Sequence, residues 1–178
     1  MTNHIEAEEN FEDVRPFTAA VPGFSELYET HYAAVYRAAL RITGNTADAE
    51  DALQTVFLRI FGLRSQGREL PDARNQEAWF KRAACNAAID ILRRKTARAE
   101  IPMDGVPLKL VKKPDALLKE QLRRAIAALE PQDAELFLMR YVEGFSNGEL
   151  AVIFRQEKNN IAVRLHRIRQ TLKSVISG

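Results

Sequence analysis

Three short constellations carry residue types that could recognise a ligand or do chemistry. The first is Ser146-Asn-Gly-Glu149, followed by Leu150, Ile153 and Phe154, a turn near Arg155–Glu157, and a basic segment with Ile161, Leu165, Ile168, Leu172 and Val175 spaced alternately four and three apart. A Ser followed three residues later by a Glu is a capping box, which opens a helix. A short helix, a tight turn and a longer helix with a basic outer face are the parts of a helix-turn-helix, whose second helix enters the major groove of DNA. Turning roughly 100° per residue from Ile161 puts Asn159, Asn160, Val163, His166, Arg167 and Gln170 outside, with Arg164 at the boundary. Asn can read adenine edges, and Arg can read guanine or hold phosphate. A plain helical hairpin with a solvated face would show part of this pattern. Cap, turn and basic face together favour DNA.

The second constellation runs from about Gln76 to about Lys95. With Phe80 set inward, Arg82, Asn86 and Arg93 fall together on an outer face, and Trp79 stands at the start of the segment. Aromatic rings beside cations suit a single-stranded nucleic acid, because unpaired bases stack and phosphates seek positive charge. On its own, a Trp beside an apolar stripe is more often core. The third constellation is Asp48-Ala-Glu-Asp51-Ala-Leu-Gln54-Thr-Val-Phe57. Carboxylates in a first helical turn normally complement the helix dipole. Catalysis would need partners that the chain does not offer. Its histidines are His4, His31 and His166, without metal-ligand spacing, and it has neither a phosphate-cradling glycine motif nor a nucleophile elbow. The expectation is no enzyme, no metal and no cofactor.

The elements that must position these groups read as helices. Phe24, Leu27, Tyr28, Val35, Tyr36, Ala39 and Leu40 recur three and four apart, and Gly44-Asn45-Thr46 breaks that pattern. A second helix shows Leu53, Val56, Phe57, Ile60 and Phe61 on one face. A polar loop over 62–74 precedes the Trp79 helix. Residues 99–114 hold Pro102, Gly105, Pro107 and Pro114 without sustained period and read as a linker. Helical spacing resumes at Leu117, Leu118, Leu122, Ile126 and Leu129. Pro131 suits the first turn of the next helix, which Gly144 ends. The expected fold is therefore all-α: two small helical domains, 24–98 and 115–178, joined by a flexible linker over 99–114, the second domain containing the helix-turn-helix.

Charge sharpens the picture. Residues 1–23 carry Glu6, Glu8, Glu9, Glu12 and Asp13 against Arg15, and are expected to form an acidic, disordered tail. Residues 81–98 hold Lys81, Arg82, Arg93, Arg94, Lys95 and Arg98 against Asp90 alone. Residues 155–173 hold Arg155, Lys158, Arg164, Arg167, Arg169 and Lys173 against Glu157 alone. Two basic segments far apart in the chain suggest a bipartite polyanion contact. Apolar residues make up 46% and charged residues 28%, the balance of a soluble globular protein. No apolar run is long enough for a membrane span, the start lacks a secretory signal, and Cys85 as the single cysteine excludes an internal disulfide. The expected location is the cytoplasm, without membrane insertion.

Asp48 to Phe57, followed by Trp79-Phe-Lys-Arg-Ala-Ala-Cys-Asn86-Ala-Ala-Ile-Asp90-Ile-Leu-Arg93-Arg94, resembles the N-terminal helical domain of bacterial sigma factors of the two-domain extracytoplasmic-function group. Leu129-Glu-Pro131, Ser146 to Ala151, and Arg164-Leu-His-Arg167-Ile-Arg169 resemble the C-terminal domain of the same group. The two blocks occupy 24–98 and 115–176, in that order.

The resemblance implies an alternative sigma factor that binds core RNA polymerase, directs it to promoter DNA and helps open the duplex. It implies core-polymerase docking by Asp48, Asp51, Gln54 and Phe57. It implies −10 DNA contacts by Trp79, Lys81, Arg82, Asn86, Arg93 and Arg94, and −35 DNA contacts by Arg155, Lys158, Asn159, Asn160, Arg164 and Arg167. An anti-sigma protein is a further implied partner. The alternatives are a sigma-like decoy that sequesters an anti-sigma protein, and a dimeric helix-turn-helix repressor, which would need neither the acidic helix nor the Trp79 segment. The chain departs from the family where many members carry Gly after the short C-terminal helix; here the run is Phe154-Arg155-Gln156. The departure bears on the turn geometry and the −35 sequence.

Overall fold

The computed structural model describes residues 23–70, 73–99 and 114–177. The acidic tail up to residue 22 and the linker over 100–113 lie outside the described residues. Seven helices and no strand occur among the described residues: α1 Phe24–Thr43, α2 Thr46–Ser65, α3 Ala73–Ala99, α4 Pro114–Ala128, α5 Pro131–Tyr141, α6 Asn147–Phe154 and α7 Lys158–Ser177. The all-α expectation holds. Helix α2 runs on into the segment expected to be loop, and α3 extends beyond both of its expected ends.

Local chemistry sets the boundaries. Helix α1 stops at Gly44, which adopts φ +77° and donates its N–H to the Leu40 carbonyl at 2.9 Å. The left-handed backbone there favours glycine, and a Cβ would lie 1.9 Å from an Arg123 guanidinium nitrogen, so a larger residue would also push that side chain aside. Asn45 caps α2, its side chain accepting from the Asp48 N–H at 2.9 Å. Pro131 sits at the first turn of α5, where its missing N–H costs nothing.

Two apolar clusters hold these helices together. One joins α1, α2 and α3 through Phe24, Val35, Ala39, Val56, Phe57, Ile60, Phe80, Ala84 and Ile91. The other centres on Leu136, Met139, Leu150, Ile161, Leu165, Ile168 and Leu172 of α5 to α7, and it also takes in Ile42 of α1 and Cys85, Ala88, Ile89 and Leu92 of α3. Helix α3 is therefore buried on two faces: Phe80, Ala84, Ala87 and Ile91 point toward α1 and α2, while Cys85, Ala88, Ile89 and Leu92 point toward α4 to α7. Apolar side chains on two faces of one helix need cover on both sides. The C-terminal helices supply the second cover.

Candidate nucleic-acid interface

A capping box opens α6, the first helix of the pair. The Ser146 hydroxyl accepts from the Glu149 N–H at 3.2 Å, and the Glu149 carboxylate accepts from the Ser146 N–H at 2.8 Å. These hydrogen bonds hold the Glu149 carboxyl below the usual carboxylate range. Helix α6 ends on Arg155, which adopts the left-handed conformation at φ +52° and is the only non-glycine residue with positive φ among the described residues. Ile161, Leu165, Ile168 and Leu172 bury one stripe of α7. Arg155, Lys158, Asn159, Asn160 and Arg167 are exposed. Arg164 is half-buried and donates to the Asp133 carboxylate at 2.5 Å and to Gln132 at 3.4 Å. A concave surface lined by Gln132, Asp133, Asn160, Val163, Arg164 and Arg167 lies between the start of α5 and α7.

The strain at Arg155 makes two effects separable. Left-handed backbone costs an L-residue about 1–2 kcal/mol, and glycine loses about 0.5–1 kcal/mol of chain entropy in return. Arg155→Gly should therefore raise stability by up to about 1 kcal/mol, while duplex DNA affinity falls through the lost cation. Thermal melts and a duplex-binding titration check both signs. A loss of stability would mean that the Arg155 side chain holds the turn.

Helix α3 has a different setting from the one its sequence suggests. Arg82, Asn86 and Arg93 do share a face, but that face meets the C-terminal helices, which leave it half-buried. The Glu135 carboxylate of α5 is 4% exposed and accepts from Arg82 Nε, from Arg82 Nη2 at 3.3 Å and from Asn86 Nδ2 at 2.9 Å. Arg93 donates to the carbonyls of Ala127 at 3.1 Å and Leu129 at 2.6 Å, at the end of α4. The Lys81 ammonium pairs with Glu77 at 2.6 Å and stands 5.5 Å from the centre of the Phe145 ring. The Arg82 guanidinium lies 4.9 Å from the centre of the Phe154 ring. Trp79 is half-buried, edge-on to Phe80 at 5.4 Å, and Arg94 is exposed.

Sequence reading missed Glu135 and Glu143. Glu143 has a side chain 1% exposed that accepts from Arg41 of α1 at 2.5 Å. Each buried carboxylate is matched to a cation of the other block, as burial of charge demands. Cys85 is fully buried beside them. Burial pushes its thiol far above the usual range, and the Glu143 and Glu135 charges push the same way.

On α2 the four docking candidates separate. Asp51 and Gln54 are exposed. Phe57 is 4% exposed and packs against Phe24, Tyr28 and Phe80, so its side chain belongs to the core and not to the surface. Truncating Phe57 would disturb the fold as well as any partner contact. Asp48 is also buried: its carboxylate accepts from Lys95 Nζ at the far end of α3 and from Asn45 Nδ2 at 2.5 Å. Burial alone would raise its carboxyl, but the hydrogen bonds from Lys95 and Asn45 and the positive charges of Lys95 and Arg123 outweigh burial and hold it below its ordinary value of 3.8. A depressed folded-state value stabilises the protein above the unfolded value, and the contribution is lost as pH falls through the folded one. Asp48→Asn should flatten the acid limb of the stability profile below about pH 4, read from urea midpoints. An unchanged acid limb would contradict this.

Comparison with known proteins now bears on these groups. Residues 27–98 match the family model for sigma-70 region 2, and residues 119–172 match that for sigma-70 region 4. The chain is 31% identical over 170 residues to the ECF RNA polymerase sigma factor SigE of Mycolicibacterium smegmatis, covering 89% of this chain and 63% of that protein's length. It is 30% identical over 161 residues to the RNA polymerase sigma factor CarQ of Myxococcus xanthus, covering 88% of this chain and 91% of CarQ. It is 29% identical to the ECF sigma factor SigL of Mycobacterium tuberculosis, covering 79% and 81%. Among solved structures, a chain in the co-crystal of the sigma factor RpoE with the anti-sigma factor NepR from Bartonella quintana matches 88% of this chain and 98% of its own, at 17% identity and a TM-score of 0.49. No helix among the described residues is long and apolar enough to cross a membrane. Region 2 spans the helices around Trp79 and region 4 the helix-turn-helix, and the relatives include extracytoplasmic-function sigma factors: the chain belongs to the extracytoplasmic-function group of sigma-70 RNA polymerase sigma factors.

Proposed function

We propose that this sigma factor docks on core RNA polymerase through the exposed part of α2, engages the −10 element with α3 and reads the −35 element with the first turns of α7, in the cytoplasm and without chemistry of its own. The observation that carries the reading is the exposed start of α7, where Lys158, Asn159 and Asn160 follow a capped short helix and a tight turn. A helix N-terminus also offers its free N–H groups and dipole to phosphate. The −10 assignment covers Trp79, Lys81, Arg82, Asn86, Arg93 and Arg94, and the −35 assignment adds Arg155, Arg164 and Arg167. An anti-sigma protein is the expected regulator. Both basic segments are retained, which a decoy for that regulator would not require.

Docking is tested on Asp51, whose exposure separates it from the core-bound Asp48 and Phe57. Asp51→Arg should leave the melting temperature close to that of the parent and weaken capture by purified core polymerase at least tenfold, because it sets repulsion where charge complementarity is required. Parental affinity would refute docking through this face.

A further inference from the structure

We infer that the C-terminal helices act as an intramolecular competitor for the −10 surface of α3, with Glu135 standing where a phosphate of the promoter strand would bind, so that the free chain is closed and must open to engage DNA. The inference rests on the reading that Arg82, Asn86 and Arg93 contact the −10 strand. The chemistry presented to α3 is the chemistry of a single-stranded nucleic acid. The Glu135 carboxylate offers two oxygens to the Arg82 fork and shares one with Asn86, the bidentate arrangement that an arginine also makes with phosphate. The Ala127 and Leu129 carbonyls, at the negative end of α4, take the Arg93 guanidinium. The rings of Phe145 and Phe154 face Lys81 and Arg82 as stacked bases would face cations.

The closed form is also held by contacts that make no use of the proposed −10 groups. Arg41 of α1 pairs with the buried Glu143, and Arg123 of α4 donates to the Ile42 carbonyl at 3.0 Å. Between these clamps the Cys85, Ile89 and Leu92 side chains share one apolar cluster with α4 to α7. A strand entering at Arg82 must displace Glu135. Once displaced, that carboxylate goes to water, and opening also uncovers Cys85. The single cysteine is thus a built-in reporter of closure.

The test uses the full chain and two variants. Glu135→Gln keeps the shape of the side chain and removes its charge, and Glu143→Gln loosens the same interface away from the DNA groups. Two readouts are followed: the rate of Cys85 modification by a thiol reagent, and binding of a fluorescein-labelled 20-nucleotide single-stranded DNA of mixed sequence by anisotropy. In the parent, Cys85 should react slowly and speed up when the oligonucleotide is added. Both variants should react faster and bind the oligonucleotide roughly tenfold tighter, the scale of a typical coupling between two sites. Adding Arg82→Ala to Glu135→Gln should remove the gain. If Cys85 stays protected in both variants and neither gains affinity, the interface is permanent and the inference falls. If the variants expose Cys85 without any gain in binding, competition is likewise overturned. In that case Arg82→Ala in the opened chain decides the underlying reading: a loss of oligonucleotide binding leaves the −10 assignment standing, and no change removes it too.

Discussion

Replacing Phe80 by Ala should cost about 3–5 kcal/mol and leave the N-terminal helices at the edge of unfolding. Phe80 has no exposed surface, and its ring lies 4.0 Å from that of His31 on α1 and 5.8 Å from that of Phe57 on α2. It is the side chain through which α3 is keyed to both neighbours, with Trp79 edge-on beside it. Against a total stability of about 5–15 kcal/mol for a domain, the loss is a large fraction. Because α3 also carries the cations of the −10 surface and packs on α4 and α5, the damage should spread. Urea unfolding should show a midpoint lowered without a split transition, and capture of core polymerase and of promoter DNA should fall together. A midpoint within the error of the parent would mean that α3 is held by its second face alone.

At the other end of the molecule, Asn160→Ala and Lys158→Ala should divide in kind. Both residues are exposed on the first turn of α7. If Asn160 reads a base edge, its truncation should cost roughly 1–3 kcal/mol on the preferred −35 duplex and little on a scrambled one. Lys158→Ala should weaken both duplexes alike and make the salt slope shallower by about one unit. Arg164 lies between these cases, because its guanidinium is already held by Asp133 and Gln132 of α5. Its removal should lower stability as well as binding, which neither exposed substitution should do. Equal losses for Asn160→Ala and Lys158→Ala on both duplexes would overturn the division.

Much of the architecture was legible because it is written in local signals. The Ser146–Glu149 capping box, the Gly44-Asn45-Thr46 break and Pro131 each mark a boundary by a mechanism that acts within one helical turn. The buried stripe of α7 follows from its spacing as far as Leu172, whereas Val175, in the same register, is exposed. What was not legible is which faces meet across the linker. The run Ala83-Ala-Cys-Asn-Ala-Ala-Ile-Asp-Ile-Leu92 is apolar nearly all round, a sign of a helix covered on both sides. Reading only the Phe80 stripe as inward made the Arg82 face look outward. Glu135 gave a second sign, since a carboxylate flanked by Ala134 and Leu136 on a buried helix requires a cation that no neighbour in sequence supplies. Asp48 and Phe57 were misplaced for a related reason. The resemblance grouped four residues of α2 as one docking set, whereas the helical period that puts Phe57 on the apolar stripe sends it into the core, and Asp48 turns back onto the end of α3.

The central claim is that this chain directs core polymerase to promoters, and transcription from DNA tests it most directly. Purified core RNA polymerase, free of other sigma factors, is incubated with sheared genomic DNA of the source organism, with and without the chain, and RNA 5′ ends are mapped. The account predicts discrete start sites that appear only when the chain is present and vanish with Asp51→Arg. Start sites that are the same with and without the chain, or no transcripts at all from a chain that binds core polymerase, would contradict it.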